Sequence, residues 1–243
     1  MRVSAVASVR DERHQYRRVA AHLRAQIMTG ELPPGAQLPS TQHLVDQYGA
    51  ANTTIQKALT ALKGEGFLTS RVGKGVYVRD RQPFVVRLGA YFQPSPSGYS
   101  YRLLNVTEIQ PPADVASALN LADKGTAILR HRLGSHDGDP LELSWSYYPT
   151  DIAVGSPLAR RAKIRGDAPA ALADLGYRQS YFTDQVSARL PTTEEFEGLA
   201  LPDDVPVMRQ FRVIYSDADR PVEVSILIKG AHLYELMYRE AIT

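Results

Sequence analysis

The chain of 243 residues carries 28 Lys and Arg against 26 Asp and Glu, a formal net charge of +2, and 44% of it is hydrophobic. That length suffices for one large domain or two modest ones, and that composition argues against disorder over most of the chain. The absence of cysteine excludes disulfides, thiolate zinc sites and a cysteine nucleophile. The charge is uneven: residues 1–90 hold 13 basic and 6 acidic side chains, whereas residues 91–243 hold 15 and 20. A basic head on an acidic body is expected to meet a polyanion through the head. No apolar run reaches the roughly 18 residues of a membrane span. The opening run MRVSAVASVRDERHQ lacks the apolar middle of an export signal. A cytoplasmic protein with no membrane association is therefore expected.

Residues 1–10 are expected to form a disordered tail and residues 11–80 the first domain. Val19, Leu23 and Ile27 recur every four residues, with Tyr16 and Ala20 on the same side, which predicts a helix from about His14 to Met28. Gly30 and the Leu32-Pro33-Pro34-Gly35 turn stop it. Ser40 is placed to cap a second helix, whose apolar side is Leu44, Val45 and Tyr48 and whose end is Gly49. A third helix restarts at Asn52 and runs to about Glu65. It turns Ile55, Ala58, Leu59 and Leu62 inward and leaves Thr53, Thr54, Gln56, Lys57 and Lys63 outside or at the flank. Two short helices around a glycine turn make a helix-turn-helix. Thr69–Arg71 and Val76–Val78 read as two short strands joined at Gly73-Lys74-Gly75, a basic hairpin suited to a phosphate backbone or a minor groove.

The run LPSTQHLVDQYGAANTTIQKALTALKGEGFLTSRVGKGVYV resembles the winged-helix head of the GntR family of bacterial repressors. The resemblance implies double-stranded DNA as partner. It implies contacts from Ser40, Thr41 and Gln42, from Asn52, Thr53, Thr54, Gln56 and Lys57, and from Arg71, Lys74 and Gly75 of the wing. The family usually has arginine where this chain has Gln42 and Asn52, and often where it has Gln56. Amides pair with adenine, whereas arginine prefers guanine, so an operator with A·T pairs read by Asn52 or Gln56 is expected. The alternative is that the amides touch phosphates or cap the helix. Asn52 in particular is expected as a cap, because Ala51 stands where the family has its capping serine. Lys57, Arg71 and Lys74 are expected on phosphates.

Residues 81–90 read as a linker and first strand, the strand running from Phe84 to Leu88, and Gln93–Ser100 as a loop. Residues 91–243 contain a repeat. ADVASALNL and TAILRHRLGSHDGDPLELS are echoed by EEFEGLALP and PVMRQFRVIYSDADRPVEVS. Arg132 corresponds to Arg212. Pro140, Glu142 and Ser144 correspond to Pro221, Glu223 and Ser225, one residue further on. Each copy reads as helix, strand, aspartate-rich turn and strand, predicting an α+β body with a mostly antiparallel sheet. A further helix is expected near Pro169 to Leu175. Arg130 and Arg132 share one face of their strand, and Glu142 and Ser144 one face of the next. Such a set suits a ligand with an anionic or sugar-like group; the alternative is an outer face of cross-strand ion pairs.

Arg130-His131-Arg132, Asp137-Gly138-Asp139-Pro140, Glu142-Leu143-Ser144, Tyr148-Pro149 and the later PVEVS resemble the UTRA effector domain of the HutC subfamily of GntR regulators. The resemblance implies a chorismate-lyase-like fold, dimerisation through this domain, and an effector pocket holding Arg130, Arg132, Glu142 and Glu223, with Ser144 beside them. Two family features are altered. The helix that often opens with a hydroxyl residue opens here at Gly166-Asp167-Ala168-Pro169, where an aspartate repels phosphate. The arginine- and tyrosine-rich ending is Ile228-Lys229-Gly230-Ala231-His232. A phosphosugar effector is thus disfavoured. The expected protein is a homodimeric repressor that binds an inverted-repeat operator and is released by a small-molecule effector. The alternatives are a body that only dimerises, or a lyase-like enzyme using Glu142 or Glu223. No nucleophile elbow, phosphate loop or metal spacing among the six histidines is present, so no catalytic residue, metal or cofactor is expected.

Overall fold

The computed structural model describes residues 14–80, the backbone of 84–87, and residues 97–237. The chain divides into two compact units, Met1–Gln82 and Pro83–Thr243. The expected tail over 1–10, the stretch 81–83 and residues 93–96 of the expected loop lie outside the described residues. The end of that loop, Tyr99 and Ser100, is strand instead.

In the first unit, α1 (Gln15–Met28), α2 (Thr41–Tyr48) and α3 (Asn52–Gly64) enclose a core of apolar side chains. Leu23, Leu44, Ile55 and Leu62 are almost wholly buried, each contributing about 1.5–3 kcal/mol of apolar burial. Ser40 caps α2, its hydroxyl accepting from the His43 N–H at 3.2 Å, and Gly49 ends it with φ 55°. Arg24 grips Glu65 with two hydrogen bonds of 2.8 and 2.6 Å, tying α1 to the residue that closes α3. β1 (Leu68–Arg71) and β2 (Gly75–Val78) pair antiparallel. A bridge between Gln37 and Tyr77 adds a third short run of chain to this wing.

In the second unit, β3 (Phe84–Arg87) pairs in parallel with β10 (Tyr234–Met237). The main sheet has six antiparallel strands in the order β4-β5-β6-β9-β8-β7. They are β4 (Tyr99–Ile109), β5 (Ala127–His136), β6 (Asp139–Pro149), β7 (Gln179–Arg189), β8 (Val207–Ser216) and β9 (Pro221–Gly230). α4 (Ala113–Ala118) follows β4, and α7 (Thr193–Gly198) follows β7. Each repeat is therefore strand, helix, strand, strand, and the two meet at β6 and β9. Their register is symmetric: Glu142 faces Lys229, Ser146 faces Ser225, and Trp145 faces Ile226, its own counterpart. A pseudo-twofold axis runs through that last pair.

Backbone details repeat as well. Asn120 and Ala200 have φ 53° and 47°, and Lys124 and Asp204 have φ 60° and 64°. One hairpin differs. His136 and Asp139 flank a two-residue Asp137-Gly138 turn with both φ positive, whereas the second hairpin has the extra residue of Asp217-Ala218-Asp219. That insertion shifts the correspondence from 80 residues before the hairpin (Arg132 to Arg212) to 81 after it (Glu142 to Glu223). Elements present only after the first copy, α5 (Thr150–Ala153), a 3-10 turn at Pro157–Ala159 and α6 (Asp167–Asp174), cover one face of the sheet. α4 and α7 cover the other.

Candidate functional site

The outer face of the first unit is set by helical periodicity. Asn52, Thr53, Gln56, Lys57 and Thr60 are exposed along one side of α3, while Ile55, Ala58, Leu59 and Leu62 are buried on the other. Thr54 is half-buried at the flank. Gln56 Nε2 donates to Thr41 Oγ1 at 3.2 Å, joining the face of α3 to the start of α2. Gln42 Nε2 donates to Asp46 Oδ1 at 3.1 Å. Both amides are thereby oriented before any partner arrives. Asn52 is not a cap: it is the first helical residue, and Ala51, extended at φ −61° and ψ 150°, takes the cap position with no side-chain bond. Asn52 sits one residue too late to reach the free N–H groups of the first turn, so its amide stays on the exposed face.

The wing tip is locked from beneath. Gln37 Nε2 and Tyr77 Oη both donate to the Lys74 carbonyl, at 2.8 and 3.0 Å. The Arg71 guanidinium lies 4.3 Å over the Tyr77 ring. Gly75 has φ 106°, and a Cβ there would come within 3.0 Å of Gln37 Nε2, so only glycine suits this position. Ser40 spends its hydroxyl on the α2 cap. Arg71 and Lys74 are exposed on the wing, so the unit presents cations suited to phosphate and amides suited to base edges.

In the second unit, the face under α5 and α6 is polar at its centre. Cross-strand register places Arg132 opposite Ser144 and Arg130 opposite Ser146. Arg132 donates to Ser146 Oγ at 2.6 Å, Ser146 and Ser225 share a hydroxyl contact of 2.6 Å, and Ser225 donates to Glu223 at 2.5 Å. Guanidinium and carboxylate are thus joined through two hydroxyls. The Tyr101 ring lies 5.8 Å under the Arg132 guanidinium. Gly134 leaves room for Tyr99, whose hydroxyl would lie 2.6 Å from a Cβ there. The Tyr148 hydroxyl is fully buried on this face beside Ser146, and among the described residues the buried Arg130 Nε has no hydrogen-bond partner. Burial, and then the nearby Glu223 charge, hold the Tyr148 phenol far above its ordinary pKa.

The five side chains expected to form one pocket do share this face, but they divide into groups. Arg132 and Glu223 end the relay, and Ser144 stands opposite Arg132 on the neighbouring strand. Arg130, 1% exposed, commits its terminal nitrogens to the carbonyls of Leu158, Arg160 and Ala162 at 2.7–2.9 Å. It holds down the segment after the 3-10 turn. Glu142 instead pairs with Lys229 at 3.0 Å. Lys229 is 1% exposed and its Nζ also donates to Gln210. Gln210 donates in turn to Asp184, which accepts two further bonds from Arg212 at 2.8 and 2.7 Å. Burial pulls the Lys229 ammonium below the ordinary lysine pKa, against the raising effect of Glu142. Gln210 and Asp184 are not singled out by reading the strands one at a time, and Tyr148 and Lys229 are named there only as motif positions, without a site role. The signal that finds them is the repeat, extended outward to β4 and β7.

Among the described residues no helix is long and apolar enough to cross a membrane, and no group of histidines and carboxylates is placed to hold a metal.

Comparison with known proteins places these features. Residues 15–78 match the model of the bacterial regulatory proteins of the gntR family, and residues 97–235 match the UTRA domain. An uncharacterized HTH-type transcriptional regulator of Streptomyces coelicolor, SCO4628, is 29% identical over 240 residues, covering 90% of this chain and 88% of that protein. The HTH-type transcriptional regulator Rv0792c of Mycobacterium tuberculosis is 26% identical, covering 89% and 82%. Among solved structures, PhnF from Mycobacterium smegmatis superposes with a TM-score of 0.60 at 20% identity, covering 93% of this chain and all of that one. The C-terminal domain of the histidine utilization repressor from Pseudomonas syringae superposes with a TM-score of 0.51 at 16% identity, covering 59% and 99%. At these identities the superpositions establish the fold alone.

Proposed function

The chain belongs to the GntR family of bacterial regulatory proteins, in the HutC subfamily that joins such a head to a UTRA domain, and from that premise we propose a homodimeric repressor released by its effector. It is a DNA-binding transcriptional regulator with an effector-binding C-terminal domain, a class of protein that is not enzymatic. Dimerisation and repression are this proposal's own steps. Two heads read the half-sites of an inverted repeat, spaced by about one helical turn or a multiple of it. The effector prefers the state whose head spacing does not fit the operator, and its differential affinity sets how far the equilibrium moves.

The observation that carries the reading is the exposed α3 face, where Asn52 and Gln56 stand in one row with Lys57. Gln56 and Asn52 read A·T pairs through adenine N6 and N7. Gln42, Thr41 and Thr53 support them from the start of α2 and the edge of α3, while Lys57, Arg71 and Lys74 hold phosphates. In the body, Arg132, Ser144 and Glu223 receive the effector on the polar face of the sheet, with Arg130 and Glu142 bracing it.

Selection of binding sites from random DNA tests the DNA-reading half. The wild-type chain should enrich an inverted repeat with A·T pairs in each half-site, and Gln56→Ala should lose preference at one of them while keeping the rest. An unchanged preference in both Gln56→Ala and Asn52→Ala refutes base reading by these amides. Equal affinity for the palindrome and for one half-site refutes the dimer.

A further inference from the structure

Among the described residues the large apolar side chain most open to solvent is Val72, at 101% exposure. The other exposed ones range from 36 to 74%. A lone exposed apolar side chain is ordinary on a protein surface. This one stands at the tip of the wing, between the end of β1 and Gly73, on the basic hairpin of a DNA-binding unit. Its companions in the turn are Arg71 and Lys74, both exposed cations.

The tip that carries Val72 is held in one shape. The Lys74 N–H donates to the Arg71 carbonyl at 2.9 Å and closes the turn. Gly73 and Gly75 take the positive φ values, 69° and 106°, and leave Val72 in ordinary backbone space. The Lys74 carbonyl accepts from both Gln37 and Tyr77. Gln37 belongs to a run that pairs with β2, where the Leu38 N–H donates to the Val76 carbonyl at 2.8 Å. The same run continues into Ser40, the cap of α2. A β-branched side chain on such a turn has little rotamer freedom to lose. The wing thus offers a stiff apolar knob between two cations, with neither donor nor acceptor at its end.

We propose that Val72 enters the minor groove and selects A·T pairs there. The floor of that groove shows only acceptors at A·T pairs, whereas a G·C pair adds the exocyclic amino group of guanine. Valine methyls pressed onto that amino group leave a donor unpaired and out of water. At an A·T pair they meet the C–H edge of adenine instead, which needs no partner. A narrow A·T-rich groove also deepens the negative potential that draws Arg71 and Lys74, so the knob and its cations favour the same sequences. Gln37 is a positioning residue: it fixes the carbonyl at which the tip turns and does not itself meet the DNA. This selection is separate from the major-groove reading by Asn52 and Gln56. It rests on the wing meeting DNA, as it does where Arg71 and Lys74 hold phosphates.

The test measures binding of the full chain to selected operator fragments with single base-pair exchanges beside each half-site. At the pairs under the wing, G·C in place of A·T should weaken binding on the order of tenfold. Inosine·C, which keeps the major-groove face of G·C but lacks the amino group, should restore it. Diaminopurine·T, which adds that group to A·T, should reproduce the loss. Val72→Ser, whose hydroxyl can accept from the amino group, should level the four fragments and leave Tm unchanged. Gln37→Ala should shrink the G·C penalty while keeping the base preference within the half-site, a split that misfolding cannot produce. Lys74→Ala should weaken every fragment alike. If Lys74→Ala binds as the wild type does, the wing does not meet DNA, and the phosphate reading and this proposal fall together. If Lys74→Ala weakens binding but inosine·C behaves as G·C does, or Val72→Ser keeps the penalty, the minor-groove selection alone is overturned.

Discussion

The head and the body treat polar side chains in opposite ways. In the head, the buried set is wholly apolar, and Asn52, Gln56, Lys57 and Lys74 stand outside it. In the body, Arg130, Arg212, Glu223, Gln210 and Lys229 are themselves buried in the sheet face. An exposed residue can be exchanged with little effect on folding, so the head can change operator while its fold stays. A buried charge is held by partners that must change with it, so the body's ligand chemistry is tied to its stability.

The largest break in that contrast comes from the buried Arg212–Asp184 pair. Asp184→Ala leaves the buried Arg212 without its carboxylate and should lower stability by about 3–5 kcal/mol, read from urea unfolding. A loss under 1 kcal/mol would mean that water already enters this face. Arg130→Met should cost about 1.5–3 kcal/mol, because the carbonyls of Leu158, Arg160 and Ala162 lose a charged donor. Ser40→Ala, an exchange in the head, should cost about 1 kcal/mol through the lost α2 cap. Gln56→Ala should alter stability by less than about 0.5 kcal/mol while removing about 1–3 kcal/mol of discrimination at one base pair; the reverse ranking would erase the distinction between head and body.

The smallest effect is a pH slope. His131 stacks on Trp145 with ring centroids 4.4 Å apart, and burial holds its pKa below the ordinary 6.5. The unfolded chain therefore binds this proton more readily than the folded one. The stability contributed by the neutral ring is intact above 6.5 and declines as pH falls below it. His131→Phe should flatten the dependence of Tm on pH between 7 and about 5; an unchanged slope assigns it to other groups.

The head was legible in sequence because its signals are local. Period-four apolar residues, Ser40 as a cap and Gly49 as a stop each act within one helix turn. The start of α3 at Asn52 was legible, although the alternative of Asn52 as its cap falls one residue off; what escaped was the Gln37 brace under the wing. In the body the repeat predicted β5, β6, β8 and β9 with their turns. β4 and β7 went unread because they form the two edges of the sheet. YSYRLLNVTEI and QSYFTDQVSAR carry too many polar residues for a clean alternation. The parallel pair of β3 with β10 joins the two ends of the unit, a contact that no local pattern announces. Missing β7 concealed Asp184, the partner of Arg212. The fold partners of Arg130 and Glu142 were not legible, because strand parity places a side chain on a face but does not say which neighbour takes it.

Operator affinity as a function of ligand tests most directly whether the DNA-reading head answers to the sensing body. With the selected operator at fixed salt, the affinity of the full chain should fall at least tenfold as the small molecule that most raises Tm is titrated in, and the Arg132→Ala chain should bind the operator unchanged across the same titration. If the ligand binds the wild-type body and operator affinity does not move, the two units are not coupled and the account fails.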